Sequence, residues 1–111
     1  MNDQRELLPG TLEMLILQTL RRAPAHGYAI ARHIRQVSDD VLQVEEGSLY
    51  PALQRLLRDG LVTAEWGISD RNRKVRTYRI TPEGQARLET EASHFDRLLA
   101  GIAKVMRPVE S

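Results

Sequence analysis

The stretch EEGSLYPALQRLLRDGLVTAEW, residues 45–66, decides how the rest of the chain is read. Leu49, Leu53, Leu56 and Leu57 recur at helical spacing, with Gln54, Arg55 and Arg58 on the opposite face. Ser48 is a suitable N-cap. Pro51 is expected in the first turn, where a missing N–H costs nothing because those donors have no intrahelical partner. Gly60 suits the left-handed position that ends many helices. After it, LVTAEWGI (61–68) and KVRTYRI (74–80) are rich in β-branched and aromatic residues and flank a polar turn, Ser69 to Arg73. A short amphipathic helix thus runs directly into a β-hairpin.

Upstream, Leu8-Pro9-Gly10-Thr11 opens a first helix over about 10–22, with proline suited to an early helical position. Leu12, Leu15, Ile16 and Leu20 form its apolar stripe, and Met14 and Leu17 widen it, which predicts burial on more than one side. A second helix, about 26–38, carries Tyr28, Ile30, Ala31, Ile34 and Val37 on one face and Arg32, His33, Arg35 and Gln36 on the other. The alternating piece Val41-Leu42-Gln43-Val44 is expected to pair with a sheet edge. Beyond the hairpin, Thr81 is an N-cap and Pro82 takes the first position of a helix over about 82–107. There Leu88, Ala92, Phe95, Leu99, Ile102 and Met106 are spaced 4, 3, 4, 3 and 4 residues apart, a heptad seam. The predicted architecture is mainly α with a small β-hairpin. It comprises a winged helix-turn-helix domain over 1–81 and a C-terminal dimerisation helix over 82–111.

The composition of this 111-residue chain, 41% hydrophobic and 28% charged, is that of one ordinary globular domain. The absence of cysteine excludes disulfide frameworks, thiolate zinc sites and cysteine nucleophiles. No apolar run approaches the roughly 18 residues of a membrane span, and the N-terminus has no signal-peptide pattern. A cytoplasmic protein without membrane contact is expected. His26, His33 and His94 are separated by 7 and 61 residues with no acid to complete a ligand set, so no metal is expected. No phosphate loop, dinucleotide fingerprint or nucleophile elbow is present, and neither catalysis nor a cofactor is expected.

The formal net charge of +1 hides a local asymmetry: residues 71–79, RNRKVRTYR, hold five cations and no acid. Such a hairpin tip suits phosphate and minor-groove contact. The helix before it presents Ser48, Tyr50, Gln54, Arg55 and Arg58, donors of the kind a recognition helix offers to phosphates and base edges, and Gly47 permits close approach. Either feature alone is also what a solvated surface looks like; in succession they favour a DNA-reading helix and its wing. Glu45 and Glu46 complement the helix dipole but would repel phosphate, so they are expected to face away or to read a cytosine amino group. Trp66 is expected to pack across the base of the wing. The heptad seam serves either as an internal packing face or, as the register suggests, as a contact with a second copy that sets two recognition helices about one DNA turn apart.

GSLYPALQRLLRDGLV followed by a tryptophan, with HGYAIARHI before it and RKVRTYRITPEG after it, closely resembles the PadR family of bacterial transcriptional regulators, over about residues 7–106. LLPGTLEMLIL and LQVEEGSLYPAL look like the subgroup frequent in acidobacteria. The resemblance implies a homodimeric repressor that binds a near-palindromic operator in double-stranded DNA and releases it when a small molecule binds. Tyr28, Ser48, Tyr50 and Pro51 match family DNA-facing positions, and Arg73, Lys74 and Arg76 fall in the wing, where Arg71 belongs too. In short relatives, a hydrophobic space between paired C-terminal helices takes flat aromatic molecules. Here that helix has no tryptophan, and Phe95 is its one aromatic residue, so a small hydrophobic or aromatic effector would sit around Phe95. Two other classes remain open: a winged helix used as a protein-interaction module, and a small-molecule sensor or enzyme-like binder without direct operator contact.

Overall fold

The computed structural model describes residues 10–108; Leu8 and Pro9, expected to open the first helix, lie outside them. The elements run α1 (Thr11–Arg22), β1 (Ala25–His26), α2 (Gly27–Val37), α3 (Glu46–Arg58), β2 (Val62–Ile68), β3 (Lys74–Ile80) and α4 (Pro82–Met106). This is the expected helix, helix, helix, hairpin, helix order of a winged helix.

α1 is the central element. Leu12, Ile16, Leu17 and Leu20 are all buried, and the helix touches α2, α3, α4 and β3. Thr19 is buried at no polar cost because its hydroxyl donates to the Leu15 carbonyl at 2.8 Å. Ile30 and Ile34 of α2 and Leu49, Ala52, Leu53 and Leu56 of α3 close the core from one side, and Leu61, Val62 and Tyr78 close it from the sheet side.

The sheet corrects the expected pairing. Its order is β1-β3-β2, with Ala25 opposite Tyr78 and His26 opposite Thr77. The added strand is therefore the residue pair just before α2, while 41–44 forms no strand. Leu42 and Val44 pack partly against the core and Val41 stays exposed, so their alternation reflects one-sided burial in a connecting loop. β2 and β3 pair in register from Val62–Ile80 to Ile68–Lys74.

α3 ends in a Schellman turn: Leu61 N–H donates to the Leu56 carbonyl and Gly60 N–H to that of Leu57, with Gly60 left-handed at φ 72°. The Thr81 hydroxyl then does two jobs. It accepts from Gly84 N–H at 3.0 Å, capping α4, and donates to the Gly60 carbonyl at 2.8 Å. This locks the start of α4 to the end of α3. Gly84 lies so close to the chain that a Cβ there would collide with the Leu61 carbonyl oxygen. Leu88, expected in the dimer seam, is 1% exposed in the core of its own chain, because the first turns of α4 pack on α1. The second half of α4 extends away, which gives the molecule its 63 × 37 × 21 Å extents.

Candidate nucleic-acid interface

The start of α2, the solvent face of α3 and the wing enclose an open groove of about 860 Å³. His26, Gly27, Tyr28 and Arg32 form one wall, Tyr50 and Gln54 a second, and Trp66, the tip residues and Lys74, Val75, Arg76 and Tyr78 the third. Five cations (Arg32, Arg71, Arg73, Lys74 and Arg76) and a single carboxylate, Asp70, are among these lining residues. Clustered positive charge between low-dielectric walls concentrates a field that attracts a polyanion.

α3 begins earlier than expected. Its N-cap is Glu45, whose backbone carbonyl accepts from Ser48 and Leu49 N–H, and Ser48 makes no side-chain cap. Glu46 in the first turn complements the dipole instead. Pro51 consequently falls in the second turn, inside the helix. The Gly47 carbonyl loses its donor there, and Gly47 itself has open space around it. Neither glutamate lines the groove.

Of the side chains expected on the reading face, Tyr50 and Gln54 line the groove; Ser48 and Pro51 are exposed on α3 outside its lining. Tyr50 leans on the backbone of Gly27: a Cβ at residue 27 would stand 3.0 Å from its hydroxyl and 3.1 Å from Cε1. The two helices of the motif are thus keyed together by an aromatic ring over a glycine. Arg55 is placed elsewhere. Its Nη2 donates to Glu13 Oε1 at 2.6 Å, tying α3 to α1. Arg58 sits at the end of the helix against Asp59 at 3.3 Å, also outside the lining.

The wing keeps its charge. Arg71, Arg73, Lys74 and Arg76 all line the groove with Tyr28 opposite. The tip turns at Asn72, left-handed with φ 59°, while Ser69 N–H donates to the Arg73 carbonyl at 2.8 Å. Trp66 departs from expectation: it is 62% exposed and stands midway along the wing, not across its base. The buried aromatic at the base is Tyr78, 3% exposed. The Arg76 guanidinium lies 5.8 Å from the Trp66 ring centre and 5.9 Å from that of Tyr78. Its Nε is buried without a hydrogen-bond partner among the described residues.

His26, Arg32 and Trp66 are groove residues that the sequence reading did not single out for this role. His26 caps α2 by accepting from Ala29 N–H at 3.3 Å and stacks on Tyr28 with ring centres 6.5 Å apart. The Arg32 guanidinium lies 5.5 Å from the Tyr28 ring centre. A helical period that puts Arg32 one turn after Tyr28 was the available signal for that pair. Among the described residues no group of acids and histidines is arranged to hold a metal ion, and no helix is long and apolar enough to cross a membrane.

A helix-turn-helix whose third helix faces a basic two-stranded wing across a groove defines the winged-helix class of transcription regulators. Within that class, the description "Transcriptional regulator PadR-like family" matches residues 16–90, and the chain belongs to this family. A transcriptional regulator of Mycobacterium tuberculosis is 32% identical over 94 residues, covering 85% of this chain and 84% of its own. Among solved structures, a transcriptional regulator from Clostridium thermocellum superposes with a TM-score of 0.81 at 28% identity, covering 88% of this chain and 92% of that one. A PadR family transcriptional regulator from Eggerthella lenta gives 0.74 at 33% identity, covering 90% and 85%. The protein is a transcriptional regulator, as the family it belongs to and the three relatives named above are.

Proposed function

We propose that the chain is a sequence-specific DNA-binding repressor, acting in the cytoplasm as a homodimer on a near-palindromic operator. The observation that carries this reading is the groove itself, where wing cations converge on one open surface with little acid to offset them. Residues 1–81 form the DNA-binding unit and 82–111 the dimerisation unit, with the first turns of α4 shared through Leu88. Leu98, Leu99, Ile102, Val105 and Met106 are large apolar residues exposed on the outer half of α4. With Ala92 and Phe95 they form a stripe broader than the predicted seam, and a second copy of the helix would bury it. Phe95, half-buried in that stripe, is where a flat hydrophobic effector would separate the paired helices and release DNA.

The direct test is a gel shift at physiological salt with the promoter upstream of the protein's own gene, searched first for an inverted repeat. A shift on the repeat that unlabelled repeat competes away is expected. No shift there would turn the reading toward a protein-interaction module. Leu99→Asp places a charge in the α4 stripe and is expected to give a monomer in sedimentation that has lost operator affinity; a dimeric Leu99→Asp protein would remove α4 from the interface.

A further inference from the structure

An exposed tryptophan in the middle of a charged hairpin calls for an explanation, since neither the core nor the sheet needs it. The register supplies one. Trp66 stands directly opposite Arg76, and Lys74 and Tyr78 flank Arg76 on the same face of β3. The Lys74 Nζ lies 5.1 Å from the Trp66 ring centre and the Arg76 guanidinium 5.8 Å from it. One indole therefore holds two cations, and the second also lies 5.9 Å from the Tyr78 ring centre. Arg76 is the residue whose Nε is buried and unpaired among the described residues, a donor in need of an acceptor.

We propose that Trp66 is a positioning residue for DNA binding, a platform on which Lys74 and Arg76 are arranged before the duplex arrives. The inference rests on the reading of the groove as a DNA site. Free lysine and arginine side chains lose rotamer freedom when they dock on phosphate. A cation already held over an indole face has lost that freedom in the unbound protein, and the ring does not neutralise it as a carboxylate would. This distinguishes Arg76 from Arg55 and Arg79, whose carboxylate partners Glu13 and Glu65 lie at 2.6 Å and 3.5 Å. The terminal nitrogens of the Arg76 guanidinium, held in place by the two rings, then donate to a phosphate oxygen of the incoming strand.

The test measures binding of the full-length protein to a fluorescent mixed-sequence duplex of about three helical turns across a salt series. Trp66→Leu is expected to weaken binding about three- to tenfold, from the loss of two cation–π contacts, and to lower the salt slope by about 1. Trp66→Phe keeps a ring face and is expected to recover most of both. Adding Trp66→Leu to a Lys74→Ala/Arg76→Ala background is expected to change nothing further. Additive loss there would show that the indole touches DNA itself and would overturn the positioning role. Unchanged affinity and slope in Trp66→Leu would overturn it as well, while leaving the wild-type DNA reading intact. A wild type that fails to bind the duplex at low salt would overturn that reading and this inference together. Because Trp66 is largely exposed, the Leu variant is expected to fold, and its circular dichroism melt checks this directly.

Discussion

Facing each other across the groove, α3 buries Leu49, Ala52, Leu53 and Leu56 in the core, while the outer half of β2 leaves Glu65, Trp66, Gly67 and Ile68 in solvent. The helix is held by apolar area, a Schellman turn and a salt bridge to α1. The wing is held by strand pairing and by aromatic rings set against cations. Their charges follow the same division. Both arginines of α3 have carboxylate partners outside the groove, whereas four cations of the wing line it. In the DNA-binding reading proposed above, the helix would contribute shape and a few hydrogen-bonding groups, Tyr50 and Gln54, and the wing would contribute the field.

The largest effect that tests this division is on the helix side. Leu53 is fully buried, and Leu53→Ala is expected to cost about 2–5 kcal/mol in urea unfolding, through lost transfer energy and the cavity left behind. A loss below about 1 kcal/mol would mean that α3 is not held by its core face and that the contrast with the wing is false.

A smaller effect separates the two sets of arginines. Arg76→Ala is expected to weaken binding to any duplex and to reduce the salt slope by about 1, with little change in unfolding, since it also removes an unpaired buried Nε. Arg55→Ala is expected to do the reverse. It leaves the slope unchanged and costs less than about 1 kcal/mol of stability, because its ion pair with Glu13 is partly solvent-screened. Equal slopes for the two variants would erase the distinction between structural and binding cations.

The order of elements was legible in the sequence because helical periodicity and hairpin chemistry are local patterns. Gly60 and Thr81 mark the junctions they were expected to mark. What was not legible depended on partners far along the chain. Arg55 has the spacing of a binding cation, and its ion-pair partner Glu13, 42 residues away, is invisible to local pattern. Leu88 fits the heptad spacing, but the packing of α4 on α1 draws it into the core. β1 is only two residues long, too short to show alternation, while the loop at 41–44 shows alternation without pairing. Ser48 and Pro51 lie one turn deeper in α3 than their residue types suggest, because the helix begins at Glu46-Gly47, which carries no strong helix signal.

The smallest effect lies at the wing tip, and it asks whether the wing's cations depend on backbone geometry as well as on rings. Asn72 adopts φ 59°, a conformation asparagine tolerates and most side chains resist. Its N–H donates to the Ser69 carbonyl at 2.9 Å, and the Ser69 hydroxyl accepts from Arg73 N–H at 3.3 Å, so this one turn orients both Arg71 and Arg73. Asn72→Ala keeps the hydrogen-bonding backbone but adds strain of about 1 kcal/mol. Asn72→Gly removes the strain and adds freedom in the unfolded chain. The alanine variant is expected to melt no more than about 8 °C lower, with faster hydrogen exchange confined to residues 69–74 and about a twofold loss of duplex affinity. The glycine variant should stay near wild type in affinity. If both variants bind DNA like the wild type while the alanine variant exchanges faster, the tip geometry is dispensable and the indole platform alone organises the wing; if α3 amides also exchange faster, the two walls are coupled and their separation into shape and charge fails.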